Sequence, residues 1–141
     1  MTNSELAKSY LIKATRRLKV LYLLQKEKAY SDVVREAQKI VELSLKGMLR
    51  EVGIEPPKWH DVGPLVQDHK HKFPPEVKKS VNKLARISKR LRKEREFAFY
   101  GEVDFIPTEE YDHRDAEKAI DEAEFVVNMT KRVVKLDLDP S

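Results

Sequence analysis

The sequence predicts an all-α fold, an up-and-down bundle of four to five helices, four long and one short, with antiparallel neighbours. Three observations predict it. Apolar residues recur at alternating steps of three and four through four long stretches, the period of a helix with one buried face. Gly53 with Pro56-Pro57, and later Pro74-Pro75, interrupt that period where helices should stop or start. The polar joint Lys26 to Ala29 is too short for anything but a reversal, so the helices on either side of it must lie antiparallel.

A chain of 141 residues fits one domain, 1–141, with a core from about residue 4 to 135, and buries roughly two-thirds of its unfolded surface. It has no cysteine, which excludes a disulfide framework and a cysteine zinc site and suits a cytoplasmic setting. No apolar run approaches the roughly 20 residues that cross a bilayer, so a soluble protein is expected. Charged residues make up 37% of the chain while Asn and Gln are few, a balance that leans toward a heat-adapted source. The net charge of +4 hides an asymmetry: residues 78–95 are dominated by Lys and Arg, and residues 102–124 by Asp and Glu. Either the two faces pair across helices, or the basic one is a stripe for phosphate.

Thr2 and Glu5 have capping-box spacing and should start the first helix. Ala7, Leu11, Ala14, Leu18 and Leu21 form its inner stripe to about Lys26, a length of roughly 35 Å. Ser31 is placed to cap the second helix, with Asp32 beside the positive end of its dipole. That helix carries the broadest apolar stripe, through Val34, Ala37, Val41, Ser44 and Met48, and should be the middle of the bundle. Gly47 inside it points to a close helix approach, and Glu42 and Lys46 have ion-pair spacing. Beyond Gly53, Trp59 is expected to fold over the bundle end and His60 to brace the elbow. A short helix should then follow Asp61, with Val62, Leu65, Val66 and His69 on one side. His69 and His71 lack acids at ligand spacing, and no metal or other cofactor is expected.

Pro74 and Pro75 suit the first turn of a basic helix with Val77, Val81, Leu84, Ser88 and Leu91 inward. The next member of that series is Arg95, which on a core stripe needs a carboxylate, a phosphate or a wet cleft; alternatively the helix frays first and Arg95 is solvated. Residues 99–108 read as an ordered loop pinned by Phe99, Phe105 and Ile106, exposing Tyr100, Glu102 and Asp104 as candidate functional side chains. A last helix starts near Asp112 with the narrow face Ala116, Ala119, Ile120, Ala123, Val126, Val127 and Val133, and residues 136–141 should fray.

A second helix carrying Ala37-Gln38, Glu42 and Lys46, the Gly53-x-x-Pro56 break followed by His60, and a long basic helix ending in an arginine before a loop together resemble the HEPN proteins, over about Leu6 to Val133. The resemblance implies a helical bundle that commonly pairs as a homodimer, and a partner among the minimal nucleotidyltransferases in a toxin–antitoxin-like pair. It also implies a nucleotide or RNA as ligand. Many members are metal-independent RNases with an arginine and, four to six residues on, a histidine: the arginine stabilises phosphate charge and the histidine moves the 2′-hydroxyl proton. Here Tyr100 stands where that histidine would be, and a phenol can donate a hydrogen bond or stack on a base. Arg95 and Tyr100 are thus the catalytic candidates, and Arg92, Arg95, Lys46 and Tyr100 the nucleotide- or phosphate-binding ones. The alternatives are an RNA endonuclease with an Arg-x4-Tyr motif and a non-catalytic protein-interaction bundle.

Overall fold

Helices α1 (Asn3–Lys26) and α2 (Tyr30–Glu51) form a tight antiparallel pair in a computed structural model that describes residues 2–58 and 61–136. Their direction is fixed by cross-links. Ser4 donates to Glu51 at 3.2 Å, and Arg50 donates to Asn3 at 3.3 Å. Midway, Arg17 meets Glu36 at 2.6 Å. Thr2 caps α1 by accepting from the Glu5 amide at 3.0 Å. The cap expected from Ser31 is not made: Lys28 takes a left-handed φ of 60°, α2 begins at Tyr30 with Ala29 as its cap, and Ser31 lies buried in the first turn. A joint this tight leaves no room for the extended capping residue that a serine cap requires.

At the far end of α2, Gly53 (φ 85°) closes a Schellman turn in which the Gly53 amide donates to Arg50 O and the Ile54 amide to Leu49 O. Trp59 and His60 lie outside the described residues, as do residues 137–141 of the tail. The chain resumes in α3 (Gly63–Asp68), passes a 3-10 turn at Lys70–Lys72, and enters α4 (Pro75–Lys78) and α5 (Val81–Phe99). The basic helix expected to run unbroken from Pro74 is therefore two. Ser80 turns its hydroxyl onto Glu76 O at 3.0 Å, and the backbone breaks between Lys79 and Val81, yet Val77, Val81, Leu84, Ser88 and Leu91 all face inward as the stripe predicts. Asp61 ties α3 to α5 by accepting from the Gly63 amide (3.1 Å) and the Ser88 hydroxyl (2.6 Å). At Gly63 the two helices cross so closely that an added Cβ would lie 3.0 Å from Ala85 Cα.

Helix α7 (His113–Val133) starts in a reciprocal capping box between Asp112 and Asp115. Its Ala116, Ala119 and Ala123 are fully buried, and this narrow face lets α7 pack along α2. Tyr30 and His113 meet edge to face, so α2 and α7 begin at the same end, and α1 and α5 run the other way. The result is the predicted up-and-down bundle of four long helices, with α2 in contact with each of the other three. Two four-residue helices, α4 and α6 (Pro107–Glu110), were not expected.

Candidate functional site

Where α1, α2 and the end of α5 meet, the bundle does not close. A groove of about 540 Å³ opens there, within the size range of ligand pockets. Helix α2 builds its floor: Arg35, Lys39, Leu43 and Lys46 follow one another at steps of four, four and three, with Gln38 and Glu42 beside them. Helix α1 supplies Tyr10, Lys13 and Arg17 from one side, and α5 supplies Arg95 and Glu96, followed by Tyr100, from the other. Six basic side chains and two acidic ones therefore line the groove.

The cations differ in how they are held. Arg17 is paired with Glu36, and Lys46 with Glu42 at 2.8 Å as its spacing predicts. Burial pushes the Glu42 carboxyl up, but hydrogen bonds from Lys46 and Gln38 and the charges of Lys46 and Arg92 outweigh it and hold it below the ordinary glutamate value. Arg35 is stacked over the Phe99 ring, 4.1 Å from its centroid. Lys13, Lys39 and Arg95 have neither a hydrogen bond nor an ion pair among the described residues.

Arg95 does not sit in a frayed terminus, since α5 continues a full turn beyond it to Phe99, and it is half-buried at the groove wall. No carboxylate pairs with it among the described residues, and it is accommodated on this stripe because the groove opens beside it. Tyr100 is 77% exposed, packs edge to face on Phe99, and borders the same groove. Lys46 is brought to the site too, while Arg92 lies close enough to act on Glu42.

Glu102 and Asp104 do not line the groove. They flank Val103, 94% exposed, at the tip of a hairpin closed by two 2.9 Å backbone hydrogen bonds between Glu102 and Phe105. Gly101 (φ 68°) makes this turn possible, because a side chain there would collide with the Phe105 carbonyl and Pro107. Phe99 and Ile106 do not pin the loop as expected, since both are about half exposed. Phe105 does, resting against Phe97 (5.4 Å between centroids) and Tyr111 (5.6 Å). Tyr111 in turn donates to Glu94 at 2.6 Å, and burial with that carboxylate pushes its phenol well up, so it remains a donor.

The residues that sequence reasoning missed are Lys13 and Arg17 on α1 and Arg35 and Lys39 on α2. The i, i+4 repeat of Arg35 and Lys39 with Lys46 was readable, and the short joint could have set the α1 register opposite it. Among the described residues no three metal-type ligands converge; His69 instead faces Leu65 O at 2.9 Å. No helix among them is long and apolar enough to cross a membrane.

A family model described as the HEPN domain matches residues 7–133. Searches of the curated proteins and of the solved structures each gave no match.

Proposed function

Because the chain belongs to the HEPN family, we propose that its groove binds the phosphates of a nucleotide or of RNA, with Arg95, Lys39 and Lys46 as the principal contacts and Tyr100 as a stacking or hydrogen-bonding neighbour. The observation that carries this reading is the set of unpaired cations. Lys13, Lys39 and Arg95 are gathered in one concavity, and neither of its two carboxylates, Glu42 and Glu96, forms an ion pair with any of them among the described residues. Mutual repulsion makes such a cluster unfavourable in the free protein, and an anion relieves it. A phosphate also matches the fork of a half-buried guanidinium better than a solvated point charge would.

The same proposal extends to assembly. Phe97, Phe99, Tyr100, Val103 and Ile106 expose apolar surface at the end of α5, beside the groove, which suits pairing with a second copy of the chain. A minimal nucleotidyltransferase partner of the toxin–antitoxin kind and a cytoplasmic setting complete it, the latter in keeping with the absence of cysteine.

Thermal unfolding with and without ligand tests the core of the proposal. A nucleotide or short RNA should raise the melting temperature at low salt, the gain should shrink as salt rises, and Arg95→Ala should abolish it. Absence of any shift at low salt with every nucleotide and RNA tried would overturn the reading.

The presence of Arg95 and Tyr100 on one groove supports a second reading, metal-independent RNA cleavage. Cleavage in the presence of a chelator that is lost in both Arg95→Ala and Tyr100→Phe is the expected sign, and RNA left intact by clean protein removes it.

A further inference from the structure

The three unpaired cations of the groove stand at one level along α2. Contacts of Arg17 with Glu36 and of Arg50 with Asn3 fix the antiparallel register of α1, which sets Lys13 opposite Lys39 and Tyr10 near Leu43. Tyr10 Cβ also lies 3.5 Å from where a side chain at Gly47 would begin. On the other wall, Phe99 packs on Arg35 and Arg92 acts on Glu42, so Arg95 comes to the level of Lys39 and Tyr100 to that of Arg35. Cations of α5 that face α7 are occupied instead: Arg90 is paired with Glu122, and the Lys83 ammonium sits 3.9 Å from the centroid of the Phe125 ring.

The groove therefore has a cationic middle and a tyrosine ring toward each end. Tyr10 is half-buried beside Leu43, with the Arg50 guanidinium 5.9 Å from its ring centroid, and it borders the groove. Tyr100 borders the other end and is 77% exposed. Leu43 and Arg35, which mark the two ends on α2, are separated by about 12 Å of helix, with Lys39 midway. A mononucleotide seated on the cations reaches one tyrosine and leaves the other bare. A step of RNA offers two bases but only a single charge between them. Two nucleosides joined by a chain of phosphates offer both a multiply charged bridge for the middle and a base for each end.

We propose that the groove is a dinucleotide site, taking two nucleosides bridged by an oligophosphate, with Lys13, Lys39 and Arg95 on the bridge and one base on each of Tyr10 and Tyr100. The inference rests on the groove reading, and it gives Tyr10 a part which that reading does not. Aromatic stacking tolerates any base, so the two rings select for the presence of two bases and not for their identity.

The test is isothermal titration calorimetry at low salt without divalent cations, with diadenosine tetraphosphate, ATP and the dinucleoside monophosphate ApA as probes. The first two carry nearly the same charge, so the difference between them reads the second ring. Diadenosine tetraphosphate should bind about tenfold more tightly than ATP, and about tenfold or more tightly than ApA. Tyr10→Leu and Tyr100→Leu should each bring diadenosine tetraphosphate down to about the affinity of ATP, whereas ATP, which uses one ring, should stay within about threefold in either variant. Tyr10→Phe keeps the ring and should bind as wild type, which separates stacking from a loss of fold; Tyr100→Leu, at an exposed position, repeats the test where folding is not at stake. Equal affinity for diadenosine tetraphosphate and ATP, either leucine variant keeping the wild-type difference, a loss in Tyr10→Phe as large as in Tyr10→Leu, or ApA bound as tightly as diadenosine tetraphosphate would each overturn the dinucleotide site while leaving the groove standing. Wild type that binds none of the three would overturn the groove reading and the dinucleotide site with it.

Discussion

Helix α2 has two charged or packed borders of opposite character. Against α7 the packing runs through Ala116, Ala119 and Ala123, all three fully buried, and the cations along the neighbouring α5–α7 border are matched by Glu122 and Phe125. Against α1 and the end of α5, the same helix presents Arg35, Lys39 and Lys46 to an open groove where cations outnumber acids. The first border is what a sequence does when it spends its side chains on stability. The second keeps charges together at an electrostatic cost that folding does not repay, which is where sites for ligands are expected. The difference separates the arginines of α5 by role: Arg90 belongs to the architecture, and Arg95 belongs to the cleft.

The largest effect should come from emptying the packed side. Leu45 is fully buried in α2, and Leu45→Ala should lower the unfolding free energy by about 2–5 kcal/mol. Denaturant titration measures this. A loss well under that range would mean that the core along α2 is looser than its burial implies and that the contrast between packed and open sides is overstated.

Next in size is the turn that carries Tyr100 away from α5. In Gly101→Ala the left-handed backbone costs about 1–3 kcal/mol, and the added methyl must also displace the Phe105 carbonyl or Pro107. The hairpin should open, with faster amide exchange at Glu102 and Phe105, while the seam between α2 and α7 keeps its protection. Exchange that quickens equally in α7 would show that the two regions unfold as one.

Most of the architecture was legible because it rests on periodicity. The stripes of α1, α2, α5 and α7 each follow from one element's own residues, as does the stop at Gly53. The elements that depended on neighbours were misread: Ser31 is displaced from its cap by the left-handed Lys28, and α4 is cut from α5 by the turn at Lys79 and Ser80. The site was half legible for the same reason. Arg95 announced itself by breaking an apolar series. Lys13 and Lys39 did not, since an exposed lysine on a helix looks the same whether it faces bulk water or another helix across a groove. Phe99 and Phe105 are both aromatic and six residues apart, and nothing in their composition tells that one is half exposed and the other anchors the loop.

The smallest effect, and the sharpest test of where the two borders meet, is titration of Glu42. This carboxylate faces the groove but is fixed by Lys46 at 2.8 Å and by Gln38 at 2.9 Å, so it is the one groove acid tied to the fold. Because its folded pKa lies below the ordinary 4.5, the unfolded chain binds its proton first as pH falls. Its contribution is therefore complete above about pH 4.5 and is lost as pH falls through the depressed folded value. Glu42→Gln should remove that segment of the acid limb, leaving a flatter stability profile below pH 4.5, while at neutral pH it should strengthen phosphate binding by deleting a negative charge from the groove. Unfolding midpoints across the acid range, set beside phosphate affinity at neutral pH, separate the two consequences. An unchanged acid limb would mean that Glu42 serves the groove alone, and weaker phosphate binding would mean that its grip on Lys46 is what holds that ammonium in place for the ligand.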